Sequence, residues 1–444
     1  MSRRALARVV GVLLIAAFAG VSCSSIRSAI RPDPVAKGKR AASNLRGLEF
    51  IEPVRAEWIL SSDIPGLARA EIEAFYEPEF VESYKNAYAV LGLLPRDIDL
   101  LETVIELQGD QLVGLYSVTR KKLYVVVNRP GEMGSHVILV HELVHALQHQ
   151  HFPLTVAVLQ GVRHNDDVAS AIGGAIEGDA TFTMLAAEAK GPRTRRAFRS
   201  MATAEEFRNA MLVDLENPTG LLETAPRLLQ VSLIAPYAYG VVIAAHRYDE
   251  AGNQGLNTLV AEPPLGTLLL LYPEERGPIE FVGYPFDWLG RSLESEGCSL
   301  GHDDVAGALT LRVMFEEFAP GADVEPWLPA WRGDRFLHVS CRDGDRLIWL
   351  TRWRDAASAA DFGRAYNEIA PLAAARAGLA HTPEVVTVGR STVILSPSLR
   401  PMAGDLIDRT EIRAYASFVD WVNDDCFTEE KCADPSGPSP HETE

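Results

Sequence analysis

The sequence HVILVHELVHALQHQHF, residues 136–152, contains the pattern HExxH at His141, Glu142 and His145. The rest of the stretch is apolar on nearly every side, which is typical of a buried helix. Residues four apart lie on the same face of a helix, so the two imidazoles can reach one point. A buried histidine pair beside a buried glutamate is costly unless a cation satisfies it. We therefore predict a zinc ion held by His141 and His145, with Glu142 as the general base towards a zinc-bound water. The alternative is a core helix with two hydrogen-bonded histidines.

A second helix, predicted over Asp166–Lys190, offers the third ligand. It is rich in small residues, and each glycine costs about 1 kcal/mol of helix propensity against alanine, which indicates a close helix–helix contact. Glu177 lies in the middle of this small surface, where a buried carboxylate needs a cation. We predict Glu177 as the third zinc ligand; the alternative is a surface glutamate on an ordinary helix. Asp179 and Thr181 are candidates for orienting a ligand from behind. The small residues are Ala171, Gly173, Gly174, Ala175, Gly178 and Ala180.

Other histidines and tyrosines could complete the site. His149, His151 and His164 could be further ligands, but local hydrogen bonding is the favoured interpretation because a catalytic zinc needs only three protein ligands. Hydrolysis of a carbonyl compound also needs a donor for the developing oxyanion. The candidates are Tyr237, Tyr239 and His246, all in a helix predicted over Val231–Tyr248, although buried tyrosines more often have a structural role.

Length and composition limit the class of protein. The chain has 444 residues, enough for two or three domains, with 47% hydrophobic and 23% charged residues, which is ordinary for a globular protein. The net charge of −18 argues against a nucleic-acid-binding protein and against binding of anionic lipid through charge alone.

The N-terminus is typical of an export signal. Three arginines lie within the first eight residues, followed by the short apolar run Val9–Ala19 and small residues before Cys23. This arrangement resembles the lipobox of bacterial lipoproteins, although Gly20 stands where that motif usually has leucine. The resemblance implies a signal peptide over residues 1–22, lipidation of Cys23, and membrane anchoring in the bacterial envelope, at the outer membrane or on the periplasmic face. The alternative is an ordinary signal peptide cut near Ser22. No other stretch is predicted to span a membrane.

The chain has five cysteines. If Cys23 carries lipid, four remain, and an even number in an exported chain suggests disulfides. Cys426 with Cys432 would close a short loop, and Cys298 with Cys341 a longer one. The absence of CxxC spacing argues against a cysteine-ligated zinc.

The predicted order of elements gives an α+β protein. Strands are predicted over Ile98–Tyr116, Lys122–Val127 and, as a strand-like run, Leu309–Phe318. Alternating strands and an alanine-rich helix follow, which suggests a smaller α+β C-terminal unit. The predicted divisions are a signal peptide (1–22), a flexible tether (23–45), a first domain with the zinc site (46–289), the C-terminal unit (290–423) and a disordered acidic tail (424–444).

HELVHALQHQHF followed by AIEGDAT resembles a group of prokaryotic zinc proteins of the gluzincin type, over roughly residues 100–355. The resemblance implies a zincin-like core, a small sheet with the active-site helices, and peptide hydrolysis. It also implies that Leu123–Val127 is an edge strand that pairs with an extended substrate. The thermolysin-like peptidases carry NExxSD downstream, whereas this chain has Ile176-Glu177-Gly178-Asp179.

These observations predict a membrane-tethered extracytoplasmic zinc metallopeptidase that acts on a peptide or protein. One alternative is a non-catalytic envelope lipoprotein whose C-terminal unit binds a partner. Its zinc would be structural, with the fourth position filled by a side chain such as His149 or His151. Another alternative is hydrolysis of a bond other than a peptide bond.

Overall fold

A computed structural model describes residues 33–127, 136–187 and 189–424, without the side chains of residues 110 and 111. The predicted signal peptide, Cys23, Cys426 and Cys432 lie outside the described residues, as does the predicted tail from residue 425.

The described residues form a mixed α+β structure, as predicted. The helices are α1 (Pro34–Arg46), α2 (Ile64–Ile72), α3 (Pro78–Val90), α4 (Leu100–Gln111), α5 (His136–His151), α6 (Pro153–Gly161), α7 (Asp166–Leu185), α8 (Pro192–Phe198), α9 (Met201–Glu216), α10 (Leu221–Thr224), α11 (Arg227–Ala251), α12 (Asn253–Ala261), α13 (Leu268–Leu271), α14 (Phe286–Ser295), α15 (Gly307–Phe318), α16 (Ala356–Ala377), α17 (Ala403–Arg409) and α18 (Phe418–Asn423). The strands are β1 (Arg55–Ile59), β2 (Gly114–Ser117), β3 (Lys122–Val126), β4 (Ile279–Gly283), β5 (Cys298–Asp304), β6 (Trp331–Cys341), β7 (Arg346–Trp353), β8 (Glu384–Val388), β9 (Ser391–Leu395) and β10 (Glu411–Tyr415).

A three-stranded sheet in the order β1-β3-β2 lies beside the HExxH helix α5. Strand β3 pairs in parallel with β1 and antiparallel with β2, so it is the central strand. The expectation that Leu123–Val127 is an edge strand is therefore wrong, because both of its edges are occupied. Strand β2 is the edge strand that borders α5.

The prediction of a strand over Ile98–Tyr116 is wrong for most of its length. Residues 100–111 form α4, and only residues from 114 onward form a strand. The side chain of Asp99 accepts a hydrogen bond from the backbone N–H of Glu102 at 3.0 Å and so caps the start of the helix. This cap outweighs the β-branched Thr103-Val104-Ile105 run, whose strand propensity is a weaker and more context-dependent effect.

The prediction of a flexible tether over residues 23–45 is wrong from Pro34 onward. These residues form α1, where the Asp33 side chain accepts a hydrogen bond from Val35 N–H and Gly47 ends the helix at φ 66°. Helix α1 lies against α5, where an added Cβ on Gly38 would come within 2.9 Å of Leu143 Cδ1. The polar composition of this segment obscured ordinary helix start and stop signals.

The C-terminal part is built around a five-stranded antiparallel sheet in the order β5-β6-β7-β9-β8. A disulfide joins Cys298 on β5 to Cys341 on β6, which confirms that pairing. The prediction of a strand-like run over Leu309–Phe318 is wrong, because this run is α15. Its start is fixed by tertiary contact: the Asp334 carboxylate accepts backbone N–H bonds from Ala306 and Gly307 at 2.9 Å each.

One buried apolar cluster contains residues from both sides of residue 290, the predicted start of the C-terminal unit. It contains Ile172 of α7 and Ala235 of α11 together with Trp331, Trp349 and Phe362 of the C-terminal part. Strand β4 pairs with the distant β10. The two parts of the chain therefore share one hydrophobic core.

Helix α11 is long and apolar enough to cross a bilayer by length and composition, which the sequence analysis did not predict. In the structure, 67% of its most apolar window is buried within the protein. This pattern is typical of the core helix of a globular fold.

Buried carboxyl groups gather where the start of α7 meets the C-terminal part. Burial raises the pKa of both Asp166 and Asp167 to about 7, and the neighbouring Asp304 adds to the shift of Asp166. Burial likewise raises the pKa of Asp334 to about 6. One oxygen of Asp167 accepts the backbone N–H of Thr267 at 3.0 Å, while Oδ2 has no hydrogen-bond partner among the described residues. These groups therefore take up protons at a higher pH than an ordinary aspartate does.

Asp167 is expected to make the protein less stable as pH rises from about 4 to about 7. The pKa of Asp167 is about 7 in the folded protein and near 4 in the unfolded chain. The protonated side chain therefore contributes its full stabilising effect below about pH 4, and this effect is lost as the pH rises from about 4 to about 7. Chemical unfolding at pH 5 and pH 8 measures this difference, a few kcal/mol at most. Asp167→Asn should shrink it, whereas Asp405→Asn at an exposed position should not. An unchanged difference in the Asp167 variant would contradict the assignment.

Candidate metal centre

Helices α5, α7 and α11 bring the candidate site together. The surface of α7 allows a very close approach to α11: an added Cβ on Gly178 would lie 2.1 Å from the backbone oxygen of Gly240. At Gly174, the space that a side chain would take is occupied by Leu270, whose Cδ1 would lie 2.5 Å from an added Cβ. The predicted close helix–helix contact is confirmed at these positions. Gly173, one turn before Glu177, faces open space instead.

The three predicted ligands converge on one point. His141 Nε2 lies 3.1 Å from Glu177 Oε2 and 3.0 Å from His145 Nε2, and His145 Nε2 lies 3.4 Å from the same glutamate oxygen. Among the described residues, these three form the one group of histidine, cysteine or acidic side chains with mutually close ligand atoms. Tetrahedral zinc with bonds of about 2.0–2.1 Å needs ligand atoms about 3.3–3.4 Å apart. Two imidazole nitrogens and one carboxylate at this spacing fit a zinc ion.

The charges of the three side chains depend on one another. Burial would raise the pKa of Glu177, but the imidazoles of His145 and His141 hold it well below its usual range. Burial would lower the pKa of His145, but the Glu177 carboxylate, with a smaller effect from Glu142, raises it to about 9. Without a metal the site thus holds an anionic carboxylate against protonated imidazole. A divalent cation would replace that proton.

Glu142, the predicted general base, is held beside the three ligands. Its Oε2 accepts a hydrogen bond of 2.8 Å from the backbone N–H of Tyr116 on β2. Gly114 on the same strand leaves room for it, since an added Cβ there would lie 3.2 Å from Glu142 Cγ. Edge strand β2 therefore fixes the carboxylate, a contact that the sequence analysis did not predict.

The structure separates the three predicted oxyanion donors. The ring of Tyr237 stacks on His141 with centroids 6.1 Å apart, and its hydroxyl contacts Glu177. The Glu177 carboxylate and burial raise the pKa of Tyr237 well above its usual value. Tyr239 lies on another side of α11 and lines a cavity with Leu212 and Arg312, so its predicted role at the site is wrong.

His246 is also wrong as a candidate. Its side chain is 40% exposed and pairs with Glu250 one turn along α11, with Nδ1 3.5 Å from Oε1. Within the described part of the chain, no hydrogen bond, ion pair or ring contact joins it to the three ligands.

The additional histidines are engaged elsewhere. His149 Nδ1 lies 3.0 Å from the hydroxyl of Tyr116, His151 Nε2 lies 2.8 Å from the backbone oxygen of Glu49, and His164 Nδ1 lies 3.0 Å from that of Asp303. The preferred interpretation, local hydrogen bonding, is confirmed for all three.

Gln148 is a site residue that the sequence analysis missed. Its Oε1 lies 2.8 Å from His145 Nδ1, the ring nitrogen on the far side from the ligand cluster. The spacing offered a signal, because residues three apart on a helix are neighbours. Of the two proposed orienting residues, Asp179 contacts Gln148, whereas the Thr181 hydroxyl is buried with no hydrogen-bond partner among the described residues.

Gly178→Ala is expected to destabilise the protein by about 1–3 kcal/mol, because the added methyl group forces α7 away from α11. The same displacement should weaken zinc binding by moving Glu177. Thermal or chemical unfolding and a zinc-affinity measurement check both effects.

Gly173→Ala is the matched control on the same helix. Its added methyl group meets open space, so stability should rise by up to about 1 kcal/mol from helix propensity. Equal behaviour of the two variants would show that the close contact does not position Glu177.

Comparison with known proteins gives one match. The model of a domain of unknown function, DUF8575, matches residues 298–393, which run from β5 into β9. The matched span contains none of the three candidate ligands. No curated protein and no solved structure matches the chain.

Proposed function

We propose that this protein is a zinc-dependent hydrolase, and specifically a metallopeptidase with a zincin-like core of the gluzincin type. The observation that carries the proposal is the convergence of two imidazole nitrogens and one carboxylate oxygen, 3.0–3.4 Å apart, with the Glu142 carboxylate near enough to His145 to raise its pKa.

His141, His145 and Glu177 would hold the ion. When bound, zinc supplies a Lewis acid and lowers the pKa of a water molecule. The carboxylate of Glu142 accepts a proton and returns it to the leaving amine. The Tyr116 N–H aims this carboxylate, since it donates to Oε2 at 2.8 Å. The hydroxyl of Tyr237, which donates to the Glu177 carboxylate in this structure, would turn from it to donate to the developing oxyanion.

The engagement of the other histidines supports a catalytic rather than a structural ion. A structural zinc has four protein ligands, whereas a catalytic zinc keeps a position open. His149 and His151, the side chains that could fill that position, bond to Tyr116 and Glu49 instead. This favours the hydrolase over a non-catalytic lipoprotein with a zinc plug.

The position of β2 supports a peptide substrate. Within the described residues, β2 pairs only with β3, so an extended chain could pair along its other edge, apart from the Tyr116 N–H that Glu142 accepts. Tyr116 on this strand contacts Glu142, so a peptide laid along it would pass beside the base. We assign to β2 the substrate-pairing role that the resemblance had placed on Leu123–Val127.

The disulfide supports export. Disulfides persist in oxidising compartments, and Cys298 and Cys341 are bonded in this chain. We propose that the protein acts in the bacterial envelope, held there through lipid on Cys23.

Metal analysis and hydrolysis assays test the proposal together. The purified protein should contain zinc, should cleave an unstructured protein such as denatured casein, and should lose and regain this activity on chelation and zinc addition. Zinc-loaded protein that leaves such substrates intact would reject a metallopeptidase. Cleavage of esters alone would keep the hydrolase and reject peptide hydrolysis.

A further inference from the structure

We infer that a buried chain of hydrogen bonds through Gln148, Asp179 and Arg46 sets the ring of His145 for metal binding, so that helix α1 forms part of the zinc site. This inference rests on the proposed function. The three residues are called the relay below. They are positioning residues, because none of them touches the ligand atoms.

The first step of the relay fixes the direction of the Gln148 amide. Its Nε2 group donates to the backbone oxygen of Ile176 at 2.9 Å and to Asp179 Oδ2 at 2.8 Å. Both acceptors lack a hydrogen to give, so the NH2 group must face them. The amide oxygen therefore faces His145 Nδ1, at 2.8 Å.

The second step fixes the tautomer of His145. A carbonyl oxygen can only accept, so Nδ1 must carry the proton and donate it to Gln148. In the neutral ring this leaves the lone pair on Nε2, the nitrogen that lies 3.0 Å from His141 Nε2 and 3.4 Å from Glu177 Oε2. Metal-bound histidines depend on such partners for tautomer and ring orientation.

The third step holds Asp179 in place. Arg46 Nε donates to Asp179 Oδ2 at 3.0 Å and lies 2.8 Å from Oδ1, and both side chains are fully buried. Arg46 is the last residue of α1, and its Nη2 also donates to Asn257 Oδ1 on α12 at 2.9 Å. A buried ion pair is costly to desolvate and often adds little net stability. Its presence therefore needs another reason, and anchoring the acceptor of Gln148 supplies one.

The relay acts on one ligand only. Among the described residues, Nδ1 of His141 has no hydrogen-bond partner, although it is buried. Of the two imidazoles, His145 is therefore the one whose tautomer a hydrogen bond on Nδ1 sets, and loss of the relay should act through it.

Gln148→Met tests the first two steps. It keeps the size of the side chain but removes its hydrogen bonds, so zinc affinity measured by competition with a chelator should fall about 10- to 100-fold. The visible spectrum of the cobalt-loaded protein should change as well, because the ligand geometry changes. Gln230→Met is the matched control: Gln230 is buried and hydrogen-bonded to Leu222 and Ala225, in contacts that do not involve the ligands. Its zinc affinity should equal that of the wild type.

The double variant Arg46→Met/Asp179→Leu tests the third step. Removing both charges avoids an unpaired buried ion, so the fold should persist where either single variant could unfold. Its zinc affinity should fall, but less far than in Gln148→Met, because the Ile176 oxygen still accepts from the Gln148 amide. Adding Gln148→Met should bring the affinity to that of Gln148→Met alone, because the residues act in series.

The outcomes separate the two proposals. Wild-type zinc affinity in Gln148→Met, or an equal loss in Gln230→Met, would overturn the relay while leaving the zinc site intact. Wild-type affinity in the double variant would overturn the part played by α1. A wild-type protein that binds no zinc would overturn both the relay and the proposed function.

Discussion

Glu142→Gln is expected to lower hydrolysis about 10²- to 10⁴-fold while leaving zinc bound. Glutamine keeps an oxygen that can accept the Tyr116 N–H, so the side chain should stay in place. It cannot take up a proton as the carboxylate does. The measurement is a rate on an unstructured protein substrate, together with the zinc content of both proteins.

Glu250→Gln is a suitable control for this loss. Glu250 lies on α11, is exposed and contacts His246 and Arg247 rather than the ligands, so its loss should leave the rate unchanged. A Glu142 variant that retains wild-type turnover would show that this carboxylate is not the base. A variant that loses both zinc and turnover would show that it holds the metal.

Glu177→Ala is expected to abolish zinc binding at concentrations that saturate the wild type. The variant removes the one anionic ligand and leaves the two imidazoles of His141 and His145 around a divalent ion. Three protein ligands are the minimum for a catalytic zinc, so two should not retain it. Metal content after dialysis and the affinity for added zinc are the measurements.

The zinc-free proteins give an independent check on this carboxylate. Glu177 holds the pKa of His145 at about 9, so in Glu177→Ala that pKa should fall, which histidine resonances in NMR spectra would show. Retention of zinc with wild-type affinity would exclude Glu177 as a ligand, and an unchanged His145 pKa would exclude the contact itself.

The sequence predicted the parts of the site that depend on local periodicity. HExxH at helical spacing predicted two candidate ligands and a candidate base, and the run of small residues around Glu177 predicted a close helix contact that Gly178 confirms. These patterns succeed because the geometry of a single helix determines which side chains share a face.

Contacts between segments that are distant in the chain could not be predicted from the sequence. Tyr237 and Tyr239 are two residues apart on one helix, and only the packing of α11 on α7 shows which of them reaches Glu177. Arg46 gave no signal because its partner Asp179 lies 133 residues away. Strand β3 has the composition of a buried strand, but its central place in the sheet depends on pairing with β1.

The wrong helix and strand assignments have a related cause. Asp99 and Asp33 cap α4 and α1, and the Asp334 carboxylate caps α15 from a neighbouring strand. Side chains of this kind supply partners for free backbone N–H groups and so override the strand or loop preference of the residues that follow.

The apolar cluster shared across residue 290 has a consequence for how this protein can change over generations. The residues before and after position 290 contribute to one buried cluster, so neither half alone would bury its apolar side chains. The cluster contains Ile172, Ala235, Trp331, Trp349 and Phe362. A gene fusion that transferred residues 46–289 alone would expose the apolar side chains of this cluster to solvent in the new protein. The two halves should therefore evolve as one unit. A substitution in this cluster in one half should be compensated by a substitution in the other half.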